Sequence, residues 1–149
     1  IQSLILYMVR KITELEKVPI QQSEVEAANH FFKKAFNFYQ EKKYAESVAC
    51  YDKVIKLVPT HHSAWFNKAN GLAQLCKYEE AITCYNVAIK LDPSNGSFWT
   101  NKGIVHILQK KYSEADVCFE ESIRLDPSDE IAQKYRTVLE KKQRENTFV

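Results

Sequence analysis

Three prolines, Pro59, Pro93 and Pro127, recur every 34 residues, and each closes a near-copy of one phrase: YDKVIKLVP, YNVAIKLDP and FEESIRLDP. A fixed period of this length restricts the chain to an array of like units, each burying its apolar face against its neighbours. Ahead of each proline, apolar residues fall at three- and four-residue spacing, which predicts helices over Tyr44–Leu57, Tyr78–Leu91 and Tyr112–Leu125. A further helix precedes each of these, carrying FFKKAFNFY, WFNKANGLA or WTNKGIVHI, and short lysine-bearing joins (EKKY, CKY, KKY) connect the two. Proline cannot continue a helix, so it forces the exit to the next unit. The expected fold class is all-α.

Side-chain size obeys the same period. Ala35, Ala69 and Gly103 share one repeat position, and Ser47, Ala81 and Ala115 share another. Bulky residues surround them: Phe31, Trp65 and Trp99 in one column, Tyr51, Tyr85 and Phe119 in a second, and Tyr44, Tyr78 and Tyr112 in a third. Small residues let helix backbones approach, and large ones fill the remaining space, which is how interdigitated packing is written in sequence.

The copy from Ala64 to Pro93 carries Trp65, Ala69, Tyr78, Ala81, Tyr85, Ala88 and Pro93; the next carries Trp99, Gly103, Tyr112, Ala115, Phe119 and Pro127. This pattern resembles the tetratricopeptide repeat (TPR) family. The first copy departs from it, with Phe31, Ser47 and Val54 at the signature positions. The resemblance implies a right-handed α-solenoid of three helix-turn-helix repeats, at about 28–61, 62–95 and 96–129, within a repeat region 23–128. Residues 1–22 are expected to form an amphipathic helix and linker, with Leu4, Met8, Ile12 and Leu15 on one stripe and Pro19 at its end. Ser23 and Glu26 then have capping-box spacing at the start of the next helix. Residues 129–149 read as a capping helix and polar tail, with Ile131, Tyr135, Val138 and Leu139 expected to face the last repeat.

Composition narrows the partner class. The formal net charge is +2, from 21 basic and 19 acidic residues, too balanced for nucleic acid or an anionic membrane as the main partner. No membrane insertion is expected: the run Leu4–Val9 is far shorter than the roughly 20 residues needed to span a bilayer. Cys50, Cys84 and Cys118 share the repeat spacing, which separates them by roughly 10 Å, one helix-packing distance, too far for a disulfide or a shared metal. Cys76 stands alone, so reduced thiols and a cytoplasmic location are expected.

No Gly-rich phosphate loop, GxSxG or HExxH occurs, so the chain is not expected to be an enzyme. No cofactor or metal is expected. His61 and His62 read as a solvated loop pair, and His106 as a partly buried, hydrogen-bonded residue.

The resemblance also implies a concave groove lined by the first helix of each repeat, which holds an extended peptide or a partner helix. In register, that groove consists of Phe32, Lys33, Phe36, Tyr39, Phe66, Asn67, Asn70, Asn101 and Ile104. Phe32, Phe36 and Tyr39 are spaced to share one helix face. Asn67 and Asn101 match asparagines that the family uses to clamp a ligand backbone, and a side-chain amide suits that task because it both donates and accepts. The family's carboxylate clamp for acidic chaperone tails is not matched: Phe32, Phe36, Ser97 and Asn101 stand at four of its five positions.

The expected function is a non-catalytic protein-binding module, a scaffold or adaptor, whose partner is a protein or peptide segment with an apolar anchor. The alternatives are a recruiting domain of a larger enzyme, in keeping with a start at Ile1 rather than Met, and an assembly or export chaperone that forms a homodimer through residues 1–19.

Overall fold

The computed structural model describes residues 21–147, which form seven helices and no strand. They are α1 (Gln22–Gln40), α2 (Tyr44–Leu57), α3 (His62–Gln74), α4 (Tyr78–Leu91), α5 (Gly96–Leu108), α6 (Tyr112–Leu125) and α7 (Glu130–Thr147). The expected helix at residues 1–19, and the dimer drawn through it, lie outside the described residues.

The helices pair as hairpins, α1 with α2, α3 with α4 and α5 with α6, and the hairpins stack in chain order into a solenoid. Each hairpin turns through one residue in the left-handed region: Lys42 (φ 60°), Cys76 (φ 59°) and Lys110 (φ 61°). These stand one period apart, and none is glycine, the residue that adopts this conformation without strain. The exits are set by Pro59, Pro93 and Pro127. At the position two residues further on, His61, Asn95 and Asp129 each present a side chain that accepts a backbone N–H at the start of the next helix.

The small column is buried as expected, with Ala35, Ala69, Ala81 and Ala115 all at 0% exposure. Ser47 occupies an alanine slot without penalty because its Oγ donates to the Ala35 carbonyl oxygen at 2.8 Å. Gly103 is required by its neighbour, since a Cβ there would lie 2.8 Å from the Phe119 ring. Tyr51, Tyr85 and Phe119 fill the repeat interiors. The four thiols are free; burial holds those of Cys84 and Cys118 high, the latter at about 11.

Two expectations about helix ends and faces are corrected. The first helix begins at Gln22, and its N-terminal turn is closed by the Gln21 N–H donating to Glu24 Oε2 at 3.2 Å, not by Ser23 and Glu26. On α7, the face against the last repeat is built from Ala132, Leu139 and Tyr135, whose ring stacks on Phe119 at 5.2 Å. Ile131 and Val138 are instead 57% exposed. Arg136 ties α7 to Asp116 and Glu120 of α6.

Asp129 closes the junction of α5, α6 and α7. Its Oδ1 accepts the Ala132 N–H at 3.0 Å, while Oδ2 accepts the Thr100 and Ser122 hydroxyls at 2.5 and 2.9 Å. Burial alone would raise this carboxyl, but those donors outweigh it and hold it below the usual carboxylate range.

Candidate groove of the first helices

The first helices α1, α3 and α5 lie side by side along one surface, and a cavity of about 330 Å³ opens between them. Its walls include Tyr39 from α1, Asn70, Ala73 and Gln74 from α3, and Asn101, Ile104 and Leu108 from α5, with Tyr78 and Tyr85 of α4 at its base. Among the described residues no charged side chain lines it.

Its polar groups are set by their neighbours. The Tyr85 hydroxyl donates to Asn70 Oδ1 at 2.6 Å, which leaves the Asn70 NH₂ group to donate elsewhere. Asn101 is turned the other way: its Nδ2 donates to the Ser97 carbonyl oxygen at 2.9 Å, so its Oδ1 remains an acceptor. One amide is thus left to donate and the other to accept, which matches the C=O and N–H of a peptide unit. Burial pushes the Tyr85 phenol up, and burial with Tyr44 nearby does the same for Tyr39, so both stay neutral hydroxyls.

Of the nine residues expected in the groove, Tyr39, Asn70, Asn101 and Ile104 meet in this cavity. Phe36 is 49% exposed on α1. Phe32 is half-buried against the first-repeat core, edge-on to Tyr51 at 5.4 Å and stacked on His61 at 5.0 Å. Phe66 packs on Phe98 at 4.8 Å and on Tyr85 at 5.9 Å. Asn67 is half-buried and not part of the cavity wall. Lys33 lies elsewhere, in an open cleft with His30, Lys34 and Asn37.

Gln74, Cys76 and Leu108 were not among the expected residues, although a signal existed. Gln74 and Leu108 follow Asn70 and Ile104 by one helical turn, so they share the same face. Leu108 is 53% exposed at the cavity rim.

The histidines also differ from expectation. His61 and His62 are half-buried, not a solvated pair. His61 Nδ1 accepts the Ala64 N–H at 3.3 Å while its ring stacks on Phe32, and His62 lies 6.0 Å from Phe98. Burial lowers the His61 pKa. His106 is buried, and its Nδ1 has no hydrogen-bond partner among the described residues. Burial lowers its pKa too.

Among the described residues no group of three or more His, Cys, Asp or Glu is placed to hold a metal ion, and no helix is long and apolar enough to cross a membrane.

The family model of the tetratricopeptide repeat matches residues 62–95 and 96–129. No curated protein sequence matches the chain significantly. Among solved structures, the TPR domain of Arabidopsis OM64 superposes with a TM-score of 0.77 at 24% identity, covering 80% of this chain and 98% of that one. The second TPR domain of human RPAP3, solved in complex with the HSP70 peptide SGPTIEEVD, gives 0.74 at 25% identity and covers 78% and 98%. The TPR2B domain of yeast Sti1, in a pHsp70 complex, gives 0.75 at 21% identity and covers 78% and 98%.

Proposed function

We propose that this chain, which matches the tetratricopeptide repeat over residues 62–129, is a non-catalytic adaptor whose groove holds a segment of a partner protein. The observation that carries this reading is the uncharged cavity between α1, α3 and α5, where Asn70 is left to donate and Asn101 to accept. A groove of this kind grips a peptide backbone without reading its side chains. Specificity then falls to the exposed apolar residues around it, Phe36 and Leu108, which suit an apolar anchor in the partner. In this reading Asn67, Phe32 and Phe66 extend the contact along the first helices, whereas Lys33, in its own cleft with His30, Lys34 and Asn37, stands apart from it.

The similar structures from human and yeast were solved with Hsp70 ligands, in the human case an acidic peptide. The same ligand is not proposed here. Phe32, Phe36, Ser97 and Asn101 stand where the carboxylate clamp of the family needs its first-repeat lysine, its second asparagine and its third-repeat basic pair, and among the described residues the cavity offers no cation in compensation. Buried free thiols at Cys50, Cys84 and Cys118 suit a reducing, cytoplasmic setting.

The test uses the full chain to select peptides from a displayed random dodecapeptide library. The best binder is then titrated by fluorescence polarisation against wild type, Phe36→Ala and Asn101→Ala. Phe36 is half-exposed and Asn101 bonds only within its own helix, so both variants should fold. Losing a buried hydrogen bond or the aromatic anchor should weaken binding by about 1–3 kcal/mol. Unchanged affinity in both variants, or no selected binder at all, rejects the groove.

A further inference from the structure

The exposed apolar residues of α7 do not lie on its capping face. Ile131, Lys134, Tyr135 and Val138 stand 34 residues after Ser97, Thr100, Asn101 and Ile104, so they continue the columns that line the groove on α5. The face one period after Trp99, Gly103 and His106 carries Gln133, Thr137 and Glu140, all polar, while Arg136 turns back to Asp116 and Glu120 of α6. Thus α7 packs as the first helix of a repeat unit does, with one polar face and an apolar stripe beside α5.

Two clefts meet on this face and share Ile131. One, of about 310 Å³, is formed by Ile131, Lys134, Tyr135 and Val138. The other, of about 220 Å³, runs between α5 and α7 and contains Asp126 and Asp129 beside Ser97 and Asn101. The Asp129 carboxylate is already held by Thr100, Ser122 and Ala132, which leaves Asp126 as the carboxylate of this cleft open to a ligand, with the ammonium of Lys134 on the neighbouring cleft. Only Oδ1 of Asp126 is engaged, by the N–H and hydroxyl of Ser128. The apolar stripe covers about two turns of one helix, roughly 10 Å long, a strip too small to supply by itself the ~800 Å² per partner that a stable dimer buries. It has the size of a docking place for one or two side chains.

We propose that the groove extends onto α7, and that the partner segment places an apolar side chain on Ile131, Tyr135 and Val138 with a lysine or arginine beside it on Asp126. This rests on the groove reading above and adds to it the chemistry of the ligand: an apolar residue next to a basic one, opposite in charge to the acidic peptide in the human RPAP3 complex.

The experiment titrates the selected dodecapeptides against the full chain, against Ile131→Ala with Val138→Ala, and against Asp126→Asn, which keeps the acceptor for Ser128. The selected peptides should share an apolar–basic pair. The double variant should weaken binding about tenfold or more, and Asp126→Asn about three- to tenfold with a flatter salt dependence. Circular dichroism melts should not move, because the substituted side chains are exposed. Peptides lost with Phe36→Ala or Asn101→Ala but unaffected by the α7 variants overturn the extension and leave the groove standing. Acidic selected peptides overturn the ligand class. A synthetic peptide of residues 1–19 is the second arm. Its displacement of the dodecapeptides from wild type, and not from the α7 variant, assigns the surface to this chain's own N-terminal segment and overturns a partner. Self-association by light scattering that disappears with Ile131→Ala and Val138→Ala does the same in favour of a second copy. If no peptide is selected, the groove and its extension fail together.

Discussion

Replacing Asp129 with alanine removes a side chain that joins three helices. Its Oδ1 caps α7 through the Ala132 N–H, and an N-cap is worth about 1 kcal/mol. Its Oδ2 receives two hydroxyls, Thr100 and Ser122, and a hydrogen bond to a charged acceptor contributes about 1.5–3 kcal/mol. The two hydroxyls are not both orphaned by the change. They lie 2.7 Å from one another, and Ser122 can turn its one proton to the Gly96 carbonyl oxygen at 3.0 Å instead, so roughly one charged hydrogen bond is lost rather than two. The expected loss is about 2–4 kcal/mol, concentrated in α7. Urea unfolding of the full chain followed by circular dichroism measures it, and amide exchange locates it. The pH dependence supplies a second reading. The folded-state carboxyl is held low, so its contribution is fully present above the unfolded value of about 3.9 and is lost as pH falls through the folded value. Asp129→Asn keeps a cap acceptor, so it should lose less stability at neutral pH and flatten the acid limb. A loss below about 1 kcal/mol for Asp129→Ala, with α7 exchange unchanged, would refute the idea that this carboxylate locks the end of the array.

Gly103→Ala should destabilise the chain although alanine is the better helix former by about 1 kcal/mol. The new methyl would meet Phe119 at 2.8 and 2.9 Å, and that ring is held from its other side by Tyr135, so an overpacking penalty of about 1–3 kcal/mol wins. A lower melting temperature for Gly103→Ala, partly recovered by adding Phe119→Leu, is the expected result, and a rise contradicts it. Cys76→Gly should stabilise by a few tenths up to about 1 kcal/mol, because φ of 59° strains a residue with a Cβ and glycine's extra freedom in the unfolded chain offsets only part of that relief. The urea midpoint reports it, and a fall would mean the turn is not strained.

The period alone carried the helical pattern. Each unit repeats the same small and large side chains, and only a stack of helical hairpins lets those columns interlock, so Ala35, Ala69, Ala81 and Ala115 could be placed inside from sequence. The bounds of α2, α4 and α6 followed, because a tight turn before each tyrosine and a proline after each leucine leave no other place to stop. The column arithmetic also named four residues that line the cavity between the first helices, Tyr39, Asn70, Asn101 and Ile104. It did not say how deeply each would sit, because depth depends on what the neighbouring helix places opposite. Phe32 and Phe66 are drawn partly inward by His61 and Phe98, and Asn70 is oriented by a tyrosine hydroxyl fifteen positions away. On α7 the helical spacing left Ile131 and Val138 free to face either the last repeat or solvent. The stacking of α7 on Phe119, with Ala132 and Leu139 turned inward, leaves them exposed. Local sequence fixes which side chains share a helix face, and the rotation of that helix against its neighbours, a balance of packing over the whole layer, decides which face meets water.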